Sequence, residues 1–167
     1  MTRDLASRHA QAGYTIAGVA TADDVAVVRL LFQAYADGLG IDLGYQDFAD
    51  ELATLPGKYA VPHGALLLAR DTAATPLGCA ALRPLGDVGE MKRLYVTREA
   101  RGMGLGAAMI GAIVGAARRI GYRAVRLDTL PDMAAAQALY AAAGFRPIAP
   151  YYGGAPPGTL FLELVLS

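Results

Sequence analysis

Six consecutive residues, Arg101-Gly-Met-Gly-Leu-Gly106, carry the strongest chemical signal in the chain. They follow the strand-like run Glu90-Met-Lys-Arg-Leu-Tyr-Val96 and open a long apolar, helix-like segment. Glycines at alternate positions remove the side chains that would keep an anion away from backbone N–H groups. A helix start beyond them adds unsatisfied amides and a favourable dipole, so phosphate or pyrophosphate is the ligand this pattern suits. Arg101 at the rim adds a charge-assisted contact. The string Gly102-x-Gly104-x-x-Ala107 also fits the dinucleotide fingerprint G-x-G-x-x-G/A, with Asp128 about twenty residues further on.

Other chemistries lack their residues. The two serines, Ser7 and Ser167, sit at the termini, which argues against a serine-hydrolase triad. Cys79 falls inside a strand-like run and reads as a small core residue rather than a nucleophile. His9, His63 and Cys79 do not have zinc-ligand spacing, so no metal is expected.

The elements that must position the glycine turn can be read from periodicity and breakers. Tyr14 to Ala20 suggests a first strand. Thr21-Ala-Asp-Asp24 is a capping-box start for a helix whose Val25, Val28, Phe32, Tyr35 and Leu39 recur at helical spacing, ended by Gly38 and Gly40. Tyr45 to Leu52 reads as a short second helix. Ala65 to Ala69, Pro76 to Leu82 and Gly89 to Val96 read as strands, the first two joined by a turn at Asp71 to Thr75. Gly104 to Ile120 is a helix, Arg123 to Thr129 a strand, and Asp132 to Ala143 an Ala-rich helix capped by Asp132 and ended by Gly144. Phe145 to Ala149 and Thr159 to Leu166 close the chain as strands. Hairpins followed by a strand–helix–strand crossover imply an α/β fold with a mixed sheet, antiparallel early and parallel in the middle.

The chain of 167 residues is expected to form one domain, with residues 1–13 as a flexible N-terminus. An apolar fraction of 54% argues against disorder, and a formal net charge of zero against nucleic acid as the main partner. The uncharged run Gly102 to Ala117, closed by Arg118-Arg119, is shorter than the roughly 18–20 apolar residues of a membrane span, so no membrane partner is expected. The first residues lack the apolar core of a signal peptide, and a single cysteine fits a reducing compartment, so a cytoplasmic protein is expected, as monomer or homodimer.

Context separates the two readings of the glycine turn. The dinucleotide fingerprint places its first glycine directly after a strand, whereas Thr97 to Arg101 intervene here. The pattern Leu94-Tyr-Val96 followed by Arg101-x-x-Gly104-x-Gly106, together with Ala138-Leu-Tyr140 and Gly144-Phe145 downstream, resembles the GNAT superfamily of N-acetyltransferases. The resemblance runs from the first strand to the last. It implies a GNAT fold with a sheet of about seven strands and about four helices, in which the fourth and fifth strands splay. It also implies acetyl-coenzyme A as donor and transfer of its acetyl group, by direct attack, to a primary amine of a small molecule or protein. The donor-binding residues implied are Leu94, Tyr95 and Val96 along the pantetheine and Arg101, Gly102, Met103, Gly104, Leu105 and Gly106 around the pyrophosphate. Two alternatives stay open: a coenzyme A or acyl-coenzyme A sensor without turnover, and a dinucleotide-dependent oxidoreductase.

The same resemblance supplies catalytic candidates. Tyr140 matches the tyrosine that protonates the departing thiolate and also contacts the donor; it is the one polar-tipped aromatic in an alanine-rich helix. Glu90 stands six residues before Val96, where some members carry the base, and Asp128 lies where others carry a glutamate on the fifth strand. Each also has a plain reading, Tyr140 as packing and Glu90 as a partner of Lys92 or Arg93. One departure is visible: many members carry asparagine seven residues before the tyrosine, and here that residue is Met133.

The acceptor side is less defined. Asp37, Asp42, Asp47, Asp50 and Glu51 occur between Leu30 and Gly57 without a Lys or Arg, which favours a cationic amine or is simply a solvated face. Tyr35, Tyr151 and Tyr152 are candidate walls, and Arg93 a candidate ligand for an acceptor carboxylate.

Overall fold

The computed structural model of the chain describes residues 13–167, so the expectation for the N-terminus falls, Gly13 apart, outside the described residues. Strand β1 (Tyr14–Gly18) is followed by helices α1 (Ala22–Leu39) and α2 (Phe48–Thr54). Strands β2 (Ala65–Asp71), β3 (Pro76–Leu85) and β4 (Val88–Val96) form a meander. Helix α3 (Leu105–Ile120), strand β5 (Ala124–Thr129), helix α4 (Ala134–Ala142) and strands β6 (Arg146–Ile148) and β7 (Leu160–Val165) complete the chain. The seven strands form one sheet in the order β1-β2-β3-β4-β5-β7-β6, and only β4 and β5 run parallel.

Local chemistry accounts for the boundaries. Thr21 accepts from the Asp24 amide while Asp24 accepts from the Ala20 and Thr21 amides, closing the capping box. The β2–β3 turn is held by Asp71 Oδ1, which accepts from the amides of Ala73 and Thr75 at 2.9 Å each. The second helix differs from expectation: a 3-10 turn covers Leu43–Gln46 and α2 starts at Phe48, because Asp47 adopts a left-handed conformation (φ 54°) between them. The expected Asp132 cap is corrected too. Met133 is the N-cap residue of α4 and makes no side-chain capping bond.

Two apolar layers sandwich the sheet. On one face, Met109, Ile110 and Ile113 of α3 pack with Val125, Leu127 and Tyr140. On the other, Val28, Leu31 and Phe32 of α1 pack with Tyr59, Leu66, Cys79 and Ala81. Cys79 is wholly buried, and burial pushes its thiol well above the usual value, as expected of a core residue.

Two irregularities shape the site. Strands β4 and β5 pair only at Gly89–Val125 and Glu90–Arg126 and then diverge, leaving the β4 edge from Met91 onward without a strand partner. Strand β4 also bulges. Cys79 faces Tyr95 and Ala81 faces Lys92, so β4 holds one residue more than β3 across this stretch, and Arg93 takes φ 60°. Met91 and Leu94 both belong to the α3/α4 core, and the extra residue lets Lys92 and Arg93 turn away from it together.

Candidate active site

At the start of α3 the first amide with an intrahelical acceptor is that of Ala108, which donates to the Gly104 carbonyl at 3.2 Å. The amides of Leu105, Gly106 and Ala107 therefore face outward at the helix end. Gly104 has φ 75° and an open Cβ direction, so backbone conformation rather than crowding demands glycine there. Gly106 is needed for a different reason: a Cβ would lie 2.7 Å from Leu139 Cδ1, so its absence lets α3 and α4 pack closely.

From this cradle a groove of about 690 Å³ runs along Leu94, Tyr95 and Val96, with Met133 to Ala136 and Leu139 of the α4 segment as its opposite wall. Arg101, Gly102, Gly104, Leu105 and Gly106 line its head, and Met103 points outward with 38% exposure. At the inner end lies a small chamber of about 30 Å³, which shares Tyr35, Leu39, Leu94 and Met133 with the groove and adds Gln46, Met91, Lys92, Asp128, Thr129 and Tyr140. The divergence of β4 and β5 makes room for both.

Tyr140 and Asp128 both face the chamber, and Glu90 lies outside it. The Tyr140 ring is buried edge-on to Phe145 at 5.8 Å, and burial, with Tyr35 and Asp128 nearby, raises its phenol above the usual value. Glu90 is 1% exposed and its two oxygens are used: Oε1 accepts from Arg83 Nε at 2.7 Å and Oε2 from Tyr151 Oη at 2.6 Å. Asp128 Oδ2 accepts from Tyr152 Oη and from Gln46 Nε2, the latter at 3.4 Å. Tyr151 and Tyr152 thus tie the late loop to the two carboxylates, and both rings pack on Phe161.

Lys92 stands between those carboxylates, with Nζ 3.7 Å from Asp128 and 3.9 Å from Glu90. Desolvation lowers its ammonium from the usual value against the pull of both acids. Arg93 is committed elsewhere. Nε and Nη2 donate to Glu51 at 2.8 and 3.0 Å, Nη1 donates to Gln46 at 2.7 Å, and the guanidinium lies over the Phe48 ring. Three of its N–H groups donate in this fork, so the geometry gives Arg93 a role in tying α2 to the β4 bulge, while its side chain also lines the chamber.

Lys92, Gln46 and Thr129 are the polar chamber residues that sequence reasoning did not place there. Thr129 Oγ1 is buried and has no hydrogen-bond partner among the described residues. A cue existed for Lys92: one of only two lysines in the chain lies inside an otherwise apolar strand.

A mixed sheet that opens between two parallel strands, with an amide cradle at the head of the opening and a tyrosine at its foot, defines an acyl-transfer architecture. The model of the acetyltransferase (GNAT) family matches residues 28–145, and the chain belongs to this family. It is 39% identical over 155 residues to an uncharacterised N-acetyltransferase of Schizosaccharomyces pombe, covering 92% of this chain and 95% of that protein. Its fold is similar to that of a GNAT-family acetyltransferase of Staphylococcus aureus (TM-score 0.77, 17% identity, 92% of this chain and 99% of the other). It is also similar to a Salmonella typhimurium protein solved with its cofactor acetyl-CoA (TM-score 0.66, 21% identity, 93% and 95%). Among the described residues no helix is long and apolar enough to cross a membrane.

Proposed function

We propose that this acyltransferase moves an acetyl group from acetyl-coenzyme A to a primary amine of a small molecule or protein by direct attack. One observation carries the reading: the groove that starts at the outward amides of α3 shares Tyr35, Leu39, Leu94 and Met133 with the chamber that holds Tyr140. The donor suits the residues present. The α3 amides meet a pyrophosphate, and the free β4 edge meets an amide-bearing chain that pairs like a strand. Bound there, acetyl-coenzyme A supplies the activated thioester.

The chain's own residues then meet three needs. A backbone N–H of β4 beyond the bulge donates to the oxyanion that develops on the thioester carbonyl. The Tyr140 hydroxyl, kept protonated by burial, is positioned to protonate the departing thiolate. The acceptor amine loses a proton inside the chamber, which Asp128 faces and Glu90 does not. The acidic residues of α2 and the turn before it favour a cationic amine as acceptor. The reading places the protein in a reducing, cytoplasmic setting.

Calorimetric titration with acetyl-coenzyme A, followed by a screen of primary amines scored for acetylated product, tests this function. Absence of binding at millimolar donor overturns it. Met133 favours a second reading, a coenzyme A sensor, since a thioether cannot make an amide's hydrogen bonds. Tight donor binding with no product from any amine would support that alternative.

A further inference from the structure

We infer that Lys92 is the general base of this active site. The inference rests on the acetyl-transfer reading and goes beyond it by naming the group that takes the acceptor's proton. The two carboxylates that sequence reasoning offers for this task are already engaged. Glu90 is sealed behind the chamber and accepts from Arg83 and Tyr151. Asp128 faces the chamber but accepts from Tyr152 and Gln46. Both carboxylates thus already accept hydrogen bonds from protein donors.

Lys92 differs on each point. Its side chain is 4% exposed and lines the chamber with Tyr140 and Leu94. Its two anionic neighbours stay at 3.7 and 3.9 Å, beyond hydrogen-bond length, because each is held by its own donors. The charges around it are Glu90 on the same strand, Asp128 on β5, and the cations Arg83 and Arg93. The nearby anions are thus offset by nearby cations, and the ammonium bears a desolvation cost with its two anionic partners outside hydrogen-bond contact.

The proton balance closes. Neutral Lys92 Nζ takes one proton from the entering ammonium R–NH3+, leaving R–NH2. The amine nitrogen bonds to the thioester carbonyl carbon, and the C–S bond breaks. Tyr140 gives its hydroxyl proton to the thiolate and recovers one from the acylated nitrogen. Lys92 then releases its proton to solvent as the product leaves the chamber.

The chain has only two lysines, Lys58 and Lys92, and Lys58 is exposed. Protein labelled with ε-13C-lysine therefore gives two side-chain signals, and Lys58→Arg assigns them. We expect the Lys92 signal of the donor-free protein to titrate below the ordinary lysine value of 10.5. A Lys92 ammonium that persists to or beyond that value overturns the inference. Kinetically, kcat/KM of the wild type should show an acid limb at the Lys92 midpoint, and Lys92→Arg should lose at least about 100-fold. Wild-type activity in Lys92→Arg would make the residue a charge that positions its neighbours, and so also overturns the inference. Failure of the wild type to bind acetyl-coenzyme A or to acetylate any amine refutes the function instead, while the titration still judges the lysine.

Discussion

Arg93 holds both carboxylate oxygens of Glu51, at 2.8 and 3.0 Å, and reaches them because its backbone lies at φ 60° in a strand bulge. The same bulge sets the register of the β4 edge that faces the groove. An ion pair between α2 and β4 thus fixes the wall of the site to its floor. Both side chains are largely buried, so removing one partner strands the other charge. Glu51→Gln or Arg93→Met should lower stability by about 3 kcal/mol in denaturant unfolding. The double variant should recover part of that loss. Strict additivity of the two single losses would show that the pair is not coupled.

Gly104 offers a test of the cradle. Its φ of 75° means that Gly104→Ala costs roughly 1–2 kcal/mol of stability, while open space around the Cβ direction avoids any clash. Acetyl-coenzyme A affinity should fall by at least tenfold, because the new methyl group stands at the anion's approach. Gly106→Ala should behave differently. Its Cβ meets only the flexible tip of Leu139, and Leu139→Ala should restore most of the lost stability. Unaltered affinity in Gly104→Ala by calorimetry would remove the cradle from the donor site.

Much of the fold was legible because its signals are local. The capping box at Thr21, the Asp71 turn and the left-handed Gly40 and Gly144 each follow from a few neighbouring residues. The head of the groove was legible for the same reason. The polar cluster was not, because its pairs are distant in sequence: Gln46 meets Asp128 and Tyr151 meets Glu90. Nor does a sequence show a bulge. Alternation alone would send Lys92 and Arg93 to opposite faces, and only the extra residue in β4 turns both from the α3/α4 core. Glu90 had the right spacing for a base, and its engagement by Arg83 and Tyr151 emerges only in three dimensions.

Tyr140→Phe isolates the proposed acid. The ring keeps its contact with Phe145, so fold and donor affinity should hold while kcat falls about 100-fold. Burial raises the phenol above its usual 10.0, so it stays protonated through pH 9. Any alkaline limb of kcat below that pH should therefore persist in Tyr140→Phe. Its disappearance would show that Tyr140 titrates there.

Stability should depend on pH in opposite senses at two sites. Asp24, hydrogen-bonded to the Ala20 amide and to Arg70, has its carboxyl lowered from 3.8 on folding. A lowered acid stabilises the fold above its unfolded value and loses that contribution as pH falls through the folded one. The gap in thermal midpoint between wild type and Asp24→Asn should be full at pH 6 and close towards pH 2. Lys92 is also lowered, from 10.5, but as a base. Between its folded and unfolded values the unfolded chain binds more protons, so its contribution to stability rises with pH in that window. The thermal midpoint of the wild type relative to Lys92→Met should rise as pH approaches 10.5, and a relative fall would contradict this sign.

Met133 lines both groove and chamber. Its backbone is already engaged: the amide donates to Leu130 and the carbonyl accepts from Gln137. Only the side chain is left to face a donor. Met133→Asn adds a donor and an acceptor at the groove wall, and one net hydrogen bond is worth about 0.5–1.5 kcal/mol. Acetyl-coenzyme A should bind roughly two- to tenfold more tightly to Met133→Asn in calorimetry. The thioether also packs, so the variant should lose some stability even as affinity rises. Equal or weaker binding would mean that the donor in this protein passes Met133 without a polar contact, with its arm held by the β4 edge alone.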